Sequence, residues 1–117
     1  MIIRYALFEG IIHAGREAEF QTFVHENLVP LWTQFPNALD VRVTFGVQRD
    51  DGAPPLAMIL ATRYPDLAAV EEALKSPVRF KSREVTGELL KMFDGRVHHH
   101  LMELAHDTTS SEPSRDA

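Results

Sequence analysis

Two hydrophobic periods alternate along this chain, and their order restricts it to very few folds. Apolar or β-branched runs of strand length occupy roughly 2–9, 39–49, 56–64 and 96–104. The second run alternates strictly, with Val41, Val43, Phe45 and Val47 on one face and Arg42, Thr44, Gly46 and Gln48 on the other. Between the first and second runs the period changes to that of a helix. Phe20, Phe23, Val24, Leu28, Leu31, Trp32 and Phe35 recur mostly every three or four positions, which predicts a helix over about 16–35. Pro30 lies inside it, removes a backbone donor and crowds the carbonyl of Glu26, so a kink is expected there. Segment 50–55, "DDGAPP", is a turn joining the second and third strands as a hairpin. After the third run, "YPDLAAVEEALKS" opens a second helix with Asp66 as its N-cap. This helix breaks and restarts at Ser76-Pro77, with Ser76 as cap, and its stripe of Val78, Val85, Leu89, Met92 and Phe93 runs to a stop at Asp94-Gly95.

The order β-α-β-β-α-β predicts the ferredoxin-like α+β arrangement, a four-stranded antiparallel sheet with both helices on one face. Residues 1–104 make one domain. Residues 105–117, rich in Ser, Thr and Asp and with no aliphatic residue beyond alanine, read as a disordered tail. Two helices cover only one side of such a sheet, and a wet second side demands apolar–polar alternation in every strand. Only the second strand complies. The first carries Ile3, Tyr5 and Leu7 on one face and Ile2, Ala6 and Phe8 on the other; the third opposes Leu56, Met58 and Leu60 to Ala57, Ile59 and Ala61. An apolar face of this extent marks an interface, so a two-fold homodimer packed sheet against sheet is expected.

A length of 117 residues suits one core, and 44% hydrophobic with 25% charged residues is ordinary globular composition. A net charge of −5 with no Lys/Arg cluster argues against nucleic acid and anionic membranes as partners. The absence of cysteine excludes disulfides, thiolate zinc sites and thiol catalysis. No apolar run approaches the roughly 20 residues of a membrane span. "MIIRYALFEG" reads as a strand rather than a signal peptide, so a cytoplasmic location is expected. No nucleophile elbow, phosphate loop or carboxylate dyad occurs.

Chemistry therefore rests on histidines and arginines. In "GRVHHHLMEL", His98 and His100 share one face of the strand and His99 takes the other; alternation alone does not say which face meets the space between sheet and partner. Imidazoles there suit general-base work near neutral pH. The His98-x-His100 pair would bind zinc or iron only with a third ligand, such as His13, His25 or Glu103, and no spacing supplies one, so no metal site is assigned. Arg42 faces away from the apolar set of its strand, toward that inter-sheet space, and Arg4 is expected to join it there as a clamp for an anionic small-molecule ligand. His25 flanks the apolar stripe of the first helix. His13, in a Gly-bounded loop, would lid the cavity mouth.

The layout resembles the dimeric α+β barrel superfamily, and within it the EthD-type and antibiotic-biosynthesis-monooxygenase-type small proteins. The resemblance lies in "IIRYALFE", "EFQTFVHENLVPLW", "VRVTFGV" and "VHHHLMEL". EthD-like chains often carry His-x-Pro-Leu late in the first helix, whereas His25 here lies five residues before Pro30-Leu31. The resemblance implies two sheets closing around a shared interior and a cofactor-free oxygenation or isomerisation of a small aromatic or lactone-like acid. His98, His100 or His25 would move the proton, and Arg4 or Arg42 would hold the anion. The same superfamily also implies non-catalytic ligand-binding or stress-associated dimers and metal- or heme-binding proteins, and these alternatives stay open at the level of sequence.

Overall fold

The strand-forming runs become β1 (Ile2–Ile12), β2 (Asp40–Phe45), β3 (Leu56–Tyr64) and β4 (Phe93–Glu103) in the computed structural model, which describes residues 1–108. They form one antiparallel sheet in the order β2-β3-β1-β4, the ferredoxin-like α+β arrangement expected from the periodicities. The irregular chain after β4 runs to residue 108, and the remainder of the predicted tail lies outside the described residues.

The first helical segment is built in three parts: α1 (Glu17–Phe23), a π-helical turn (Val24–Leu28) and α2 (Val29–Trp32). The π turn is how the backbone absorbs Pro30. With no N–H at Pro30 and its ring pressing on the preceding turn, the Val29 N–H reaches back five residues to the Val24 carbonyl. Phe20, Val24 and Leu28 on this segment are fully buried. They pack on Ala6, Phe8, Met58 and Leu60 of the sheet, together with Leu89, Met92 and Phe93. The Trp32 indole donates from Nε1 to Ser82 Oγ at 3.0 Å in the interior, tying this segment to the last helix.

That last helical region comprises α3 (Leu67–Leu74), α4 (Pro77–Leu89) and a 3-10 turn (Leu90–Met92). Asp66 caps α3 by accepting the Ala69 N–H at 2.8 Å. Ser76 does occupy the cap position of α4, but its hydroxyl donates backward to the Ala73 carbonyl at 2.6 Å and so closes α3 instead. Two other expectations change. β2 stops at Phe45 although the alternation runs on, because the segment opposite it holds Pro54 and Pro55, which have no N–H to give a ladder; Val47 is left 95% exposed. Asp94 and Gly95 do not end a helix but lie inside β4, paired with Ile11 and Gly10.

The Gly10–Gly95 pair lets β1 and β4 approach under the Phe93 ring. A Cβ on Gly95 would stand 2.1 Å from the Glu9 carbonyl oxygen and 2.8 Å from the Phe93 ring. Gly95→Ala is therefore expected to destabilise the chain by about 1–3 kcal/mol, the usual range for overpacking. Urea unfolding reads this as a lower midpoint at unchanged slope; an unchanged midpoint would show that the strands part there without cost.

Candidate functional site

Antiparallel register sorts the candidate residues between the two sheet faces. One cross-strand row, Val43–Leu60–Ala6–His99, faces the helices, as does its neighbour Val41–Thr62–Arg4–Leu101. Rows of the opposite parity, Thr44–Ile59–Leu7–His98 and Arg42–Ala61–Tyr5–His100, face away from them. His98 and His100 thus share the uncovered face with Arg42. Arg4 does not join them, contrary to the expectation from sequence. It has the parity of Ala6 and Phe8, both buried beneath the helices, and that places its side chain on the helix side.

A cavity of about 480 Å³ opens between the sheet and α4, lined from the sheet by Arg4, Ala6, Phe8, Leu60, Thr62, Val97 and His99, and from the helices and the turn after α2 chiefly by Trp32, Phe35, Arg79, Ser82, Arg83 and Thr86. Gly87 of α4 also borders it and has nothing within 4 Å of where a Cβ would lie. The charge of this cavity is one-sided. Three guanidinium groups and an imidazole line it, and no Asp or Glu does. Arg4 makes no ion pair among the described residues, and its pKa is lowered by burial and then by the nearby charge of Arg79.

His99 feels the same field. Loss of water on its inner side, followed by repulsion from Arg4, Arg79, His98 and Arg83, lowers its pKa to about 4. At neutral pH the ring is uncharged and has a nitrogen lone pair free to take a proton. Burial raises the phenol pKa of Tyr64, opposed by Arg4.

On the uncovered face a second constellation forms. His98 Nε2 lies 3.0 Å from Glu9 Oε1, and His98 Nδ1 lies 3.3 Å from His100 Nε2. With Glu9 ionised, His98 donates from Nε2 and its Nδ1 accepts from the Nε2–H of His100. Arg96 approaches the same Glu9 oxygen at 3.6 Å. A register shift in the β1–β3 ladder between Phe8 and Glu9 accompanies this cluster.

The remaining candidates stand apart. His13 is held by Asp94 at 3.1 Å and does not line the cavity under α4. His25 sits exposed on the π turn, its ring edge-on to Phe45 at 5.9 Å, and also lies outside the cavity. Arg63 pairs with Asp40 at 2.7 Å. Among the described residues no group of three or more His, Cys, Asp or Glu is placed to hold a metal ion, and no helix is long and apolar enough to cross a membrane. Sequence reasoning missed Arg79, Arg83 and Glu9, and left open which face His99 takes. The one signal for the first two was a pair of arginines four positions apart on a helix whose apolar stripe is thin.

The fold recurs in solved structures. An ethyl tert-butyl ether d (EthD) family protein from Bacillus halodurans superimposes with a TM-score of 0.68 at 17% identity, over 89% of this chain and 98% of its own. An antibiotic biosynthesis monooxygenase gives 0.62 at 18% identity, over 91% of this chain and all of the other. HapK from Hahella chejuensis gives 0.64 at 11% identity, over 92% and 98%. No family model and no curated protein matches the sequence. At these identities the likeness establishes a shared ferredoxin-like α+β fold.

The depressed His99 pKa makes a pH prediction. Between pH 6.5, the ordinary histidine value, and about 4 the unfolded chain binds more protons at this residue than the folded one. Stability should therefore fall as pH drops through that window, modestly because the ring stays partly in contact with solvent. Urea midpoints from pH 7 to 4.5 are expected to fall less steeply in His99→Gln than in the wild type; parallel slopes would place His99 in ordinary water.

Proposed function

We propose that this chain is a small-molecule enzyme of the dimeric-barrel type, acting on a small acid bound between the sheet and α4. The observation that carries this reading is a cavity with Arg4 and His99 on its wall and no carboxylate to neutralise them. A half-buried guanidinium without a partner is unfavourable unless something anionic takes that place. Phe8, Trp32, Phe35 and Leu60 supply an apolar enclosure for the body of such an acid. The names borne by structures of this fold, EthD family protein and antibiotic biosynthesis monooxygenase, support an enzymatic reading.

The reaction begins when neutral His99 removes a proton from an acidic C–H of the ligand. The C–H bond breaks, its electron pair stays on the ligand as an enolate-type anion, and the imidazole carries the proton. Arg4 and Arg79 stabilise the developing charge. With a pKa of about 4, His99 alone is a weak base. Burial holds it low first and the repulsion from Arg4 and its neighbours second; an acid group bound at Arg4 cancels part of that repulsion, so the ligand offsets this second contribution to the weakness of the base. Returning the proton to another carbon gives isomerisation; capture of the carbanion by dioxygen gives oxygenation.

A second reading comes from the Glu9–His98–His100 chain of hydrogen bonds. Here a second copy covers the open face, whose centre is apolar with Ile3, Tyr5, Leu7 and Ile59, and His98 or His100 is the base in the space so enclosed. Arg42, in the row of His100, then holds the anion.

Calorimetry and turnover assays with small aromatic acids separate these readings. Arg4→Gln is expected to weaken binding about tenfold or more, and His99→Gln to leave affinity within a small factor while abolishing turnover. Turnover lost in His98→Gln but kept in His99→Gln moves the chemistry to the open face, and binding without turnover of any acid makes the chain a ligand-binding protein. For the pairing of copies, light scattering should find a particle of twice 13.2 kDa that Leu7→Glu splits; a single-chain particle at micromolar concentration would remove the pairing.

A further inference from the structure

The positive charge around the cavity exceeds what one carboxylate neutralises. Arg4 rises from the sheet, while Arg79 and Arg83 descend from α4. The acids of α4 are engaged elsewhere: Glu84 pairs with Lys81 at 3.3 Å and Glu88 with Lys91 at 3.2 Å, both pairs exposed. Arg79 donates to the Leu74 carbonyl at 3.2 Å and lies over the Phe80 ring, contacts that position its guanidinium without cancelling its charge. It stands in the first turn of α4, where no acidic residue is present and the helix dipole adds to the positive field. Arg83 has no carboxylate partner among the described residues.

These charges are spaced, not bunched. Residues four apart on a helix stand about 5–6 Å from each other at Cβ, so Arg79 and Arg83 present two anion positions along one wall. Arg4 lies close enough to Arg79 for their charges to repel, and the site between them suits one acid group. The exposed Arg83 guanidinium marks a second position nearer the mouth. Apolar side chains, Phe8, Leu60 and Leu90 among them, fill the wall around the polar groups.

We infer that the ligand of this cavity is a diacid on a compact apolar frame, one acid group between Arg4 and Arg79 and the other at Arg83, an assignment that rests on the cavity being the ligand site. An aromatic ring holds two acid groups rigidly apart, which makes benzene dicarboxylates of different substitution suitable probes.

The experiment is calorimetry on the untagged full chain with benzoate, isophthalate and terephthalate, repeated in Arg83→Gln and Arg4→Gln, with circular dichroism to verify folding of each variant. At least one dicarboxylate should bind ten times or more tighter than benzoate. Arg83→Gln should cut that advantage below threefold while leaving benzoate affinity nearly unchanged, and raising salt should erode the advantage because Arg83 is exposed. Equal affinities for mono- and dicarboxylates, or an advantage that survives Arg83→Gln, overturns the diacid assignment, while benzoate binding that depends on Arg4 keeps the cavity as the ligand site. If none of the three acids binds the wild type, both the diacid and the acid-binding cavity fall.

Discussion

The structure depends first on the register of β1, held between β3 and β4 in the middle of the sheet. Because side chains alternate, that register assigns every residue of four strands to one of two environments at once, and a slip of one position would exchange them all. It sets Ala6, Phe8, Met58 and Leu60 against Phe20, Val24 and Leu28, which is the core. It also sends Arg4 and His99 to the helix side and His98, His100 and Arg42 to the other. The close contact of Gly10 with Gly95 belongs to this same ladder.

That sorting makes the two faces electrostatically unlike. On the helix side positive groups gather without a carboxylate, in a space closed on one side by aromatic rings. Burial first, and then the crowding of charges that the arginines cannot relieve by losing a proton, hold His99 neutral. On the uncovered side the same chemistry is partly paired. Glu9 accepts from His98, His98 meets His100, and Asp40 takes Arg63. The helix side holds its positive groups with no carboxylate among them, whereas on the open face Glu9 and Asp40 answer several of them and Arg42 has no ion pair among the described residues. This contrast is why the proposed ligand site is assigned to the cavity under α4, with the open face as the second reading.

Helix irregularities shape the cavity as much as the sheet does. Pro30 converts a stretch of α-helix into a π turn, and just beyond it Trp32 reaches Ser82 across the interior. That bond anchors α4 to the first helical segment while Arg79 and Arg83 hang over the sheet. Ser76 closes α3 with its hydroxyl and takes an extended backbone, after which α4 restarts at Pro77.

Element order, the alternation of the second strand, the Asp66 cap and the two-sided apolarity of β1 and β3 could all be read from the amino acids, because periodicity and capping are local properties of the chain. Even the splitting of the three histidines between two faces was legible. Which face each took was not, since a period of two is unchanged when the faces are exchanged; only packing against Phe20, Val24 and Leu28 breaks that symmetry. Arg4 illustrates the point: its neighbours in sequence permit either side, and its partners Thr62 and Leu101 decide it. The arginines of α4 escaped notice for the same reason, since a charged helix residue reads as solvated until the tertiary structure brings it over a sheet that carries another charge of the same sign. Sequence alone determined a layered fold and a short set of candidate side chains; the positively charged cavity was decided by the tertiary packing that lines one space with residues as far apart in sequence as Arg4, Arg79 and His99.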